Sequence, residues 1–111
     1  MSKKWYEVAT TRDIDDEEVL QVEAGGGLMA LYKLAGRFYA SVDRCTCGNG
    51  CLSDGFVEDD SISCPACSAN FEIRTGKPEE DVGLKPIMRF PVRTEDGLVY
   101  IGVDSDKLSQ T

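Results

Sequence analysis

Four of the five cysteines form two close pairs, Cys45-Thr46-Cys47 and Cys64-Pro65-Ala66-Cys67, with sixteen residues between them. Close cysteine pairs on two loops are what a four-thiolate metal site requires. Each pair supplies neighbouring sulfurs, and the intervening chain lets the loops converge. Gly48, Gly50 and Gly55 let the first loop turn tightly, and Pro65 stiffens the second. Two other readings stand beside this one: a set of reduced buried thiols or an adventitious disulfide, and a thioredoxin-like Cys-x-x-Cys redox pair. The second lacks a strand–helix–strand context and leaves Cys45 and Cys47 unexplained. The chain has no histidine at all. That excludes a Ser-His-Asp triad, a Cys-His dyad, a Cys-x-x-Cys-His haem attachment, a His-Glu-x-x-His zinc site and a two-His-one-carboxylate iron site. A cysteine enzyme would have no histidine base, and no substrate-pocket signature is visible, so the chain reads as a non-enzyme.

The elements that must hold these loops are strands. Short apolar stretches alternate with Gly, Asp and Pro at roughly 8 to 12 residue spacing, the pattern of an all-β domain. Trp5–Ala9 and Val19–Glu23 read as strands, with Thr11–Asp16 between them placed to cap a single helical turn. Gly25-Gly26-Gly27 turns into a hairpin of Leu28–Leu34 and Arg37–Val42 across Ala35-Gly36. The segment 43–70 holds every cysteine and is poor in strand formers. Phe71–Arg74 is a short strand turned by Thr75-Gly76-Lys77-Pro78. Pro86 and Pro91 keep their surroundings extended at sheet edges. Phe90–Arg93 and Leu98–Val103 form a last hairpin across Thr94–Gly97, and Asp104–Thr111 is a polar tail expected to fray. The expected organisation is one domain, 1–111, with a metal-binding loop subdomain (43–70) inserted into a β base (1–42 and 71–111).

With 20 acids against 12 bases, the net charge of −8 argues against nucleic acid as a partner, because phosphate binding needs clustered Lys and Arg. A basic-faced protein partner suits this charge. No apolar run approaches the roughly 20 residues that span a bilayer. Lys3 and Lys4 have no apolar segment behind them, so no signal peptide is read and a cytoplasmic protein is expected. Five cysteines in such a compartment point to metal or redox chemistry.

Cys45-Thr46-Cys47-Gly48, Leu52-Ser53-Asp54-Gly55, Cys64-Pro65-Ala66-Cys67, Phe71 and Thr75-Gly76-Lys77-Pro78 resemble the Rieske ferredoxins of bacterial aromatic-ring dioxygenase systems. The similarity extends to the early Trp5, the Leu31–Ala40 hairpin and the closing Phe90–Arg93 and Leu98–Ile101 segments, nearly the whole chain. The resemblance implies a Rieske-like arrangement of antiparallel sheets (a basal sandwich or barrel) with the cysteine loops at one end. It implies a monomeric, soluble one-electron carrier between a ferredoxin reductase and a terminal aromatic-ring oxygenase. That family carries Cys-x-His and Cys-x-x-His pairs. Cys45 and Cys64 correspond to its inner-iron ligands, and Cys47 and Cys67 stand where it has histidines. Two matched replacements in a chain without other histidine read as a deliberate, engineered exchange, with a natural all-cysteine relative as the alternative.

The exchange alters the chemistry. Histidine ligates as a neutral group and cysteine as a thiolate, so two negative charges are added. A 2Fe-2S cluster held by Cys45, Cys47, Cys64 and Cys67 is then expected nearer the ~ −400 mV of four-cysteine ferredoxins than the potentials of Rieske centres. Four thiolates are also a complete set for one iron of rubredoxin type or one Zn²⁺. The Cys-x-Cys pair is tighter than the Cys-x-x-Cys knuckle of such sites, which ranks this alternative second. Cys51 reads as a small residue packed beneath the loop, or else as a spare ligand. Backbone N–H groups of Gly48, Ala66, Ser68 and Ala69 are candidate donors to sulfur. Ser68 stands where the family has Gly. The runs Asp13–Glu18 and Glu79–Asp81 read as solvated surface. Asp54, Glu58, Asp59 and Asp60 read first as solvated acids too, with steering of docking to a basic partner surface as the alternative.

Overall fold

Short apolar runs punctuated by turns build about half of the described chain into strands, seen in a computed structural model describing residues 3–48, 50–79 and 85–104. They are β1 (Lys3–Thr10), β2 (Glu18–Ala24), β3 (Gly27–Leu34), β4 (Arg37–Val42), β5 (Phe56–Glu58), β6 (Ser61–Ser63), β7 (Asn70–Glu72), β8 (Arg89–Phe90), β9 (Val92–Glu95) and β10 (Leu98–Asp104). Three antiparallel sheets result, ordered β1-β10-β9, β2-β3-β4-β8 and β5-β6-β7. The all-β expectation holds: among the described residues the one helical feature is a 3-10 turn at Leu52–Asp54.

Turn chemistry sets the register. The pairs Ala24↔Gly27, Leu34↔Arg37 and Glu95↔Leu98 each close a two-residue hairpin loop. Both residues of every loop have positive φ, the primed-turn geometry that matches strand twist.

Three expectations are corrected. No helical turn forms at Thr11–Asp16. The side chains there cap turns instead: Asp13 Oδ2 accepts from Thr10 N–H at 2.8 Å, Glu18 Oε1 from Asp15 N–H at 3.0 Å and Asp16 Oδ1 from Gly36 N–H at 3.0 Å. Acidic side chains that satisfy nearby backbone donors compete with helix, and the acids of the run stay exposed as read, with Asp13, Asp16 and Glu18 also serving as turn acceptors. Second, the expected strand Phe90–Arg93 is divided at Pro91, which has no N–H to give a ladder. Phe90 pairs with Ala40, Val92 pairs with Ile101, and the Pro91 carbonyl accepts from Gly102 N–H at 2.9 Å. Third, the cysteine segment is more regular than its composition suggests, since β5 and β6 form within it. The tail beyond Asp104, and Glu80 and Asp81, lie outside the described residues.

β3 is the central wall. Met29 and Leu31 face one apolar cluster with Val22, Phe90, Val99, Ile101 and Val103. Ala30, Tyr32 and Leu34 face a second with Leu52, Ile62, Phe71 and Ile73, which floors the cysteine loops. Leu52, Ile62 and Phe71 are fully buried, and each contributes roughly 1.5–3 kcal/mol.

Candidate metal centre

Two closed loops carry the four candidate cysteines. In the first, Cys45 N–H donates to the Gly50 carbonyl, Gly48 N–H to the Cys45 carbonyl, and Arg44 and Cys51 form an isolated antiparallel bridge. Thr46 Oγ1 ties this loop to the Lys85 carbonyl at 2.8 Å. In the second, Cys64 N–H donates to the Ala69 carbonyl and Ser68 N–H to the Cys64 carbonyl, both at 2.9 Å. Ser68 closes that loop with φ +63°, a left-handed conformation that favours glycine. The loops touch: a Cβ on Gly50 would lie 2.8 Å from Ala66 Cβ and 3.0 Å from Cys64 Sγ.

Asp43 anchors the first loop from below. Its carboxylate is buried and accepts from Gln21 Nε2 at 2.7 Å, Ser53 N–H at 2.8 Å and Ser53 Oγ at 3.0 Å. Its backbone carbonyl accepts from Leu52 N–H at 2.6 Å. Sequence reasoning missed this role. The signal was present in the Leu52-Ser53-Asp54 turn, whose donors need an acceptor. Beside it, the buried Tyr32 hydroxyl and Ser41 Oγ are 2.8 Å apart, and Ser41 Oγ donates to the Val42 carbonyl.

The four cysteines named from the sequence converge. Cys45, Cys47, Cys64 and Cys67 present sulfurs that all lie within 4.8 Å of one another. Cys45 Sγ lies 3.8 Å from Cys67 Sγ, and Cys47 Sγ lies 3.9 Å from Cys64 Sγ. Cys45 and Cys64 are buried, Cys47 is half-buried and Cys67 is exposed. Burial pushes the Cys45 thiol well up; Cys47 N–H, donating to its sulfur at 3.5 Å, opposes this, and the neighbouring thiols add to the rise. Of the expected sulfur donors, Gly48 and Ser68 are committed to carbonyls. The Ala69 N–H and the Cys45 thiol hold the Cys67 thiol down, but burial and the Cys64 and Cys47 thiols prevail and push it up. Cys51 is not one of the four. It is half-buried and lines a cleft with Arg44, Asp54, Pro65 and Ala66. Glu58, Asp59 and Asp60 border a separate acidic groove with Glu72 and Glu79. Asp54 is not part of that groove.

Four convergent sulfurs carried by a sheet-rich domain form a set that could hold a metal ion or an iron–sulfur cluster. The chain matches the Rieske [2Fe-2S] domain family over residues 4–91. It is 34% identical over 104 residues to the ferredoxin component of the naphthalene 1,2-dioxygenase/salicylate 5-hydroxylase systems of Ralstonia sp, covering 94% of this chain and 100% of that protein. It is 36% identical over 90 residues to the 3-phenylpropionate/cinnamic acid dioxygenase ferredoxin subunit of Escherichia coli, covering 80% and 84%. Among solved structures, it superposes on the Sphingomonas yanoikuyae ferredoxin with a TM-score of 0.83 at 28% identity, covering 91% and 100%. On a chain of the complex of reduced oxygenase and oxidised ferredoxin in carbazole 1,9a-dioxygenase, the TM-score is 0.81 at 32% identity, covering 87% and 91%. The chain belongs to the Rieske domain family, and within it to the ferredoxin type: an electron carrier with an iron–sulfur cluster, not an enzyme.

The donor set differs from the Rieske arrangement, in which two histidines replace two cysteines on one iron. No imidazole exists in this chain. Four thiolates nevertheless fit an iron–sulfur cluster of the all-cysteine type, a ligand set such clusters take.

Proposed function

We propose that Cys45, Cys47, Cys64 and Cys67 together ligate a 2Fe-2S cluster, and that the chain carries single electrons from a reductase to a terminal aromatic-ring oxygenase. The convergence of the four sulfurs at the end of the base is the observation that supports this reading. The relatives are ferredoxin components of dioxygenase systems, and one similar structure is an oxygenase–ferredoxin complex. When bound, the cluster supplies a one-electron couple. The segment 43–70 acts as the metal-binding subdomain. Cys45 and Cys64 anchor the centre in the apolar floor, while Cys67 brings it to the surface, where a partner can approach. Thr46 and Asp43 fix the first loop through Lys85, Ser53 and Gln21. The carrier works as a monomer in the cytoplasm, in line with its acidic charge and with there being no helix, among the described residues, long and apolar enough to cross a membrane.

The test is iron and acid-labile sulfide per chain on anaerobically purified protein, with Cys→Ser variants at each of the four positions. Two irons and two sulfides, lost in all four variants, are expected. A full cluster that persists in Cys47→Ser or Cys67→Ser would overturn the all-cysteine assignment.

A further inference from the structure

A single ion bound by four thiolates at about 2.3 Å demands sulfurs at the corners of a tetrahedron whose edges are ~3.8 Å. Two of the sulfur pairs here are 3.8 and 3.9 Å apart, and no pair exceeds 4.8 Å. In a two-iron centre the bridging sulfides hold thiolates on different irons more than about 5 Å apart. The short distances also cross between the loops, Cys45 to Cys67 and Cys47 to Cys64. A sulfur quartet drawn together across both loops encloses one point, not two.

We propose that this chain has a second loading state, in which the same four sulfurs bind one soft or borderline divalent ion, Fe²⁺ or Zn²⁺, without sulfide. The inference rests on the reading that these four cysteines are the ligands, and it adds that their sulfur spacing also suits a single ion. Three features support it. A Cβ on Gly50 would meet Ala66 Cβ at 2.8 Å and Cys64 Sγ at 3.0 Å, so the two loops already lie close together. The Cys-x-Cys spacing is no obstacle, because Gly48 at φ +85° curls the chain directly after Cys47. Thiolate sets select Zn²⁺ and iron over hard ions. Loading state would then depend on whether sulfide is delivered with the metal.

The experiment uses the full chain, stripped of metal and kept reduced, titrated with Co²⁺ alone as a spectroscopic probe. The expected result is one Co²⁺ per chain with the intense visible bands of a tetrahedral tetrathiolate, displaced one for one by Zn²⁺. Fe²⁺ added without sulfide should give one iron per chain. Cys47→Ser and Cys67→Ser should each weaken Co²⁺ binding by ~100-fold or more, and Cys51→Ser should leave it unchanged. Two ions per chain, an octahedral spectrum, no stoichiometric uptake, or loss of binding in Cys51→Ser would each overturn the inference. Iron supplied together with sulfide separates the two readings. If a two-iron centre assembles while Co²⁺ alone fails, the single-ion state is wrong and the carrier reading stands. If Co²⁺ binds and the two-iron centre does not assemble, the reverse holds. If neither forms, both fall.

Discussion

Restoring imidazole at both exchanged positions, Cys47→His with Cys67→His, removes two thiolate charges from the cluster-loaded chain. An electron added to the cluster is spread over iron and sulfur, so each thiolate charge acts on it at an effective distance of about 4 Å. At about 4 Å and an effective dielectric constant near 20, one unit charge is worth ~4 kcal/mol. Two are worth ~8 kcal/mol, and at ~59 mV for each tenfold change of a one-electron couple this is ~350 mV. The span from ~ −400 mV for four-cysteine centres to ~ −150 mV and above for His₂Cys₂ centres is of the same size. The variant's potential should therefore lie ~350 mV above the parent's in protein-film voltammetry at neutral pH. The imidazoles also bring ionisable ring N–H groups. Losing such a proton adds negative charge, so the variant's potential should fall as pH rises through that ionisation, while the parent's stays flat. An intact two-iron centre in the double variant with an unmoved potential would refute the charge argument.

Other outcomes follow from the loops and their floor. Asp43→Ala strips an acceptor from Ser53 N–H, Ser53 Oγ and Gln21 and should cost ~2–4 kcal/mol, read as a Tm lowered by roughly 10–20 °C in a thermal melt. Gly55→Ala places a Cβ 1.8 Å from the Ser63 carbonyl oxygen, so metal occupancy should collapse while β1–β4 and β10 keep their circular dichroism. Ser68→Gly relieves a left-handed φ of +63° and should raise stability by ~0.5–1 kcal/mol in urea titration. Metal uptake should weaken as pH falls. The Cys45 and Cys67 thiols are held above their ordinary range, so they bind protons more tightly, and a ligand must lose its proton to bind. A competition titration with a chelator between pH 6 and 9 reads this.

The clustered cysteines and the sheet-rich base were legible because they rest on local signals. Cysteine spacing marks donors, and Gly-containing two-residue turns between apolar runs mark hairpins. What stayed hidden was non-local. β5 and β6 are three residues each, too short for a period to show, and they exist because Val57, Ile62 and Phe71 pack on a floor supplied by β3. Pro91 was read as an edge marker, but its effect is to pass the chain from one sheet to another, which depends on where β4 and β10 lie. Asp43 looked like one more acid in an acidic chain until its three donors, from two distant elements, appeared around it.

β3 packs on both of its faces, with alternate residues turned to different halves of the molecule. Amide hydrogens on such a strand exchange with solvent only when both halves open together. Stripping the metal should therefore speed exchange in the cysteine loops and β5–β7 first, and leave Met29 to Leu34 protected by the cluster beneath. Neighbouring substitutions along this strand should then have opposite addresses. Enlarging Ala30 would be felt by the metal and barely by the base, whereas truncating Leu31, one residue on, would loosen the base and leave the metal's surroundings in place.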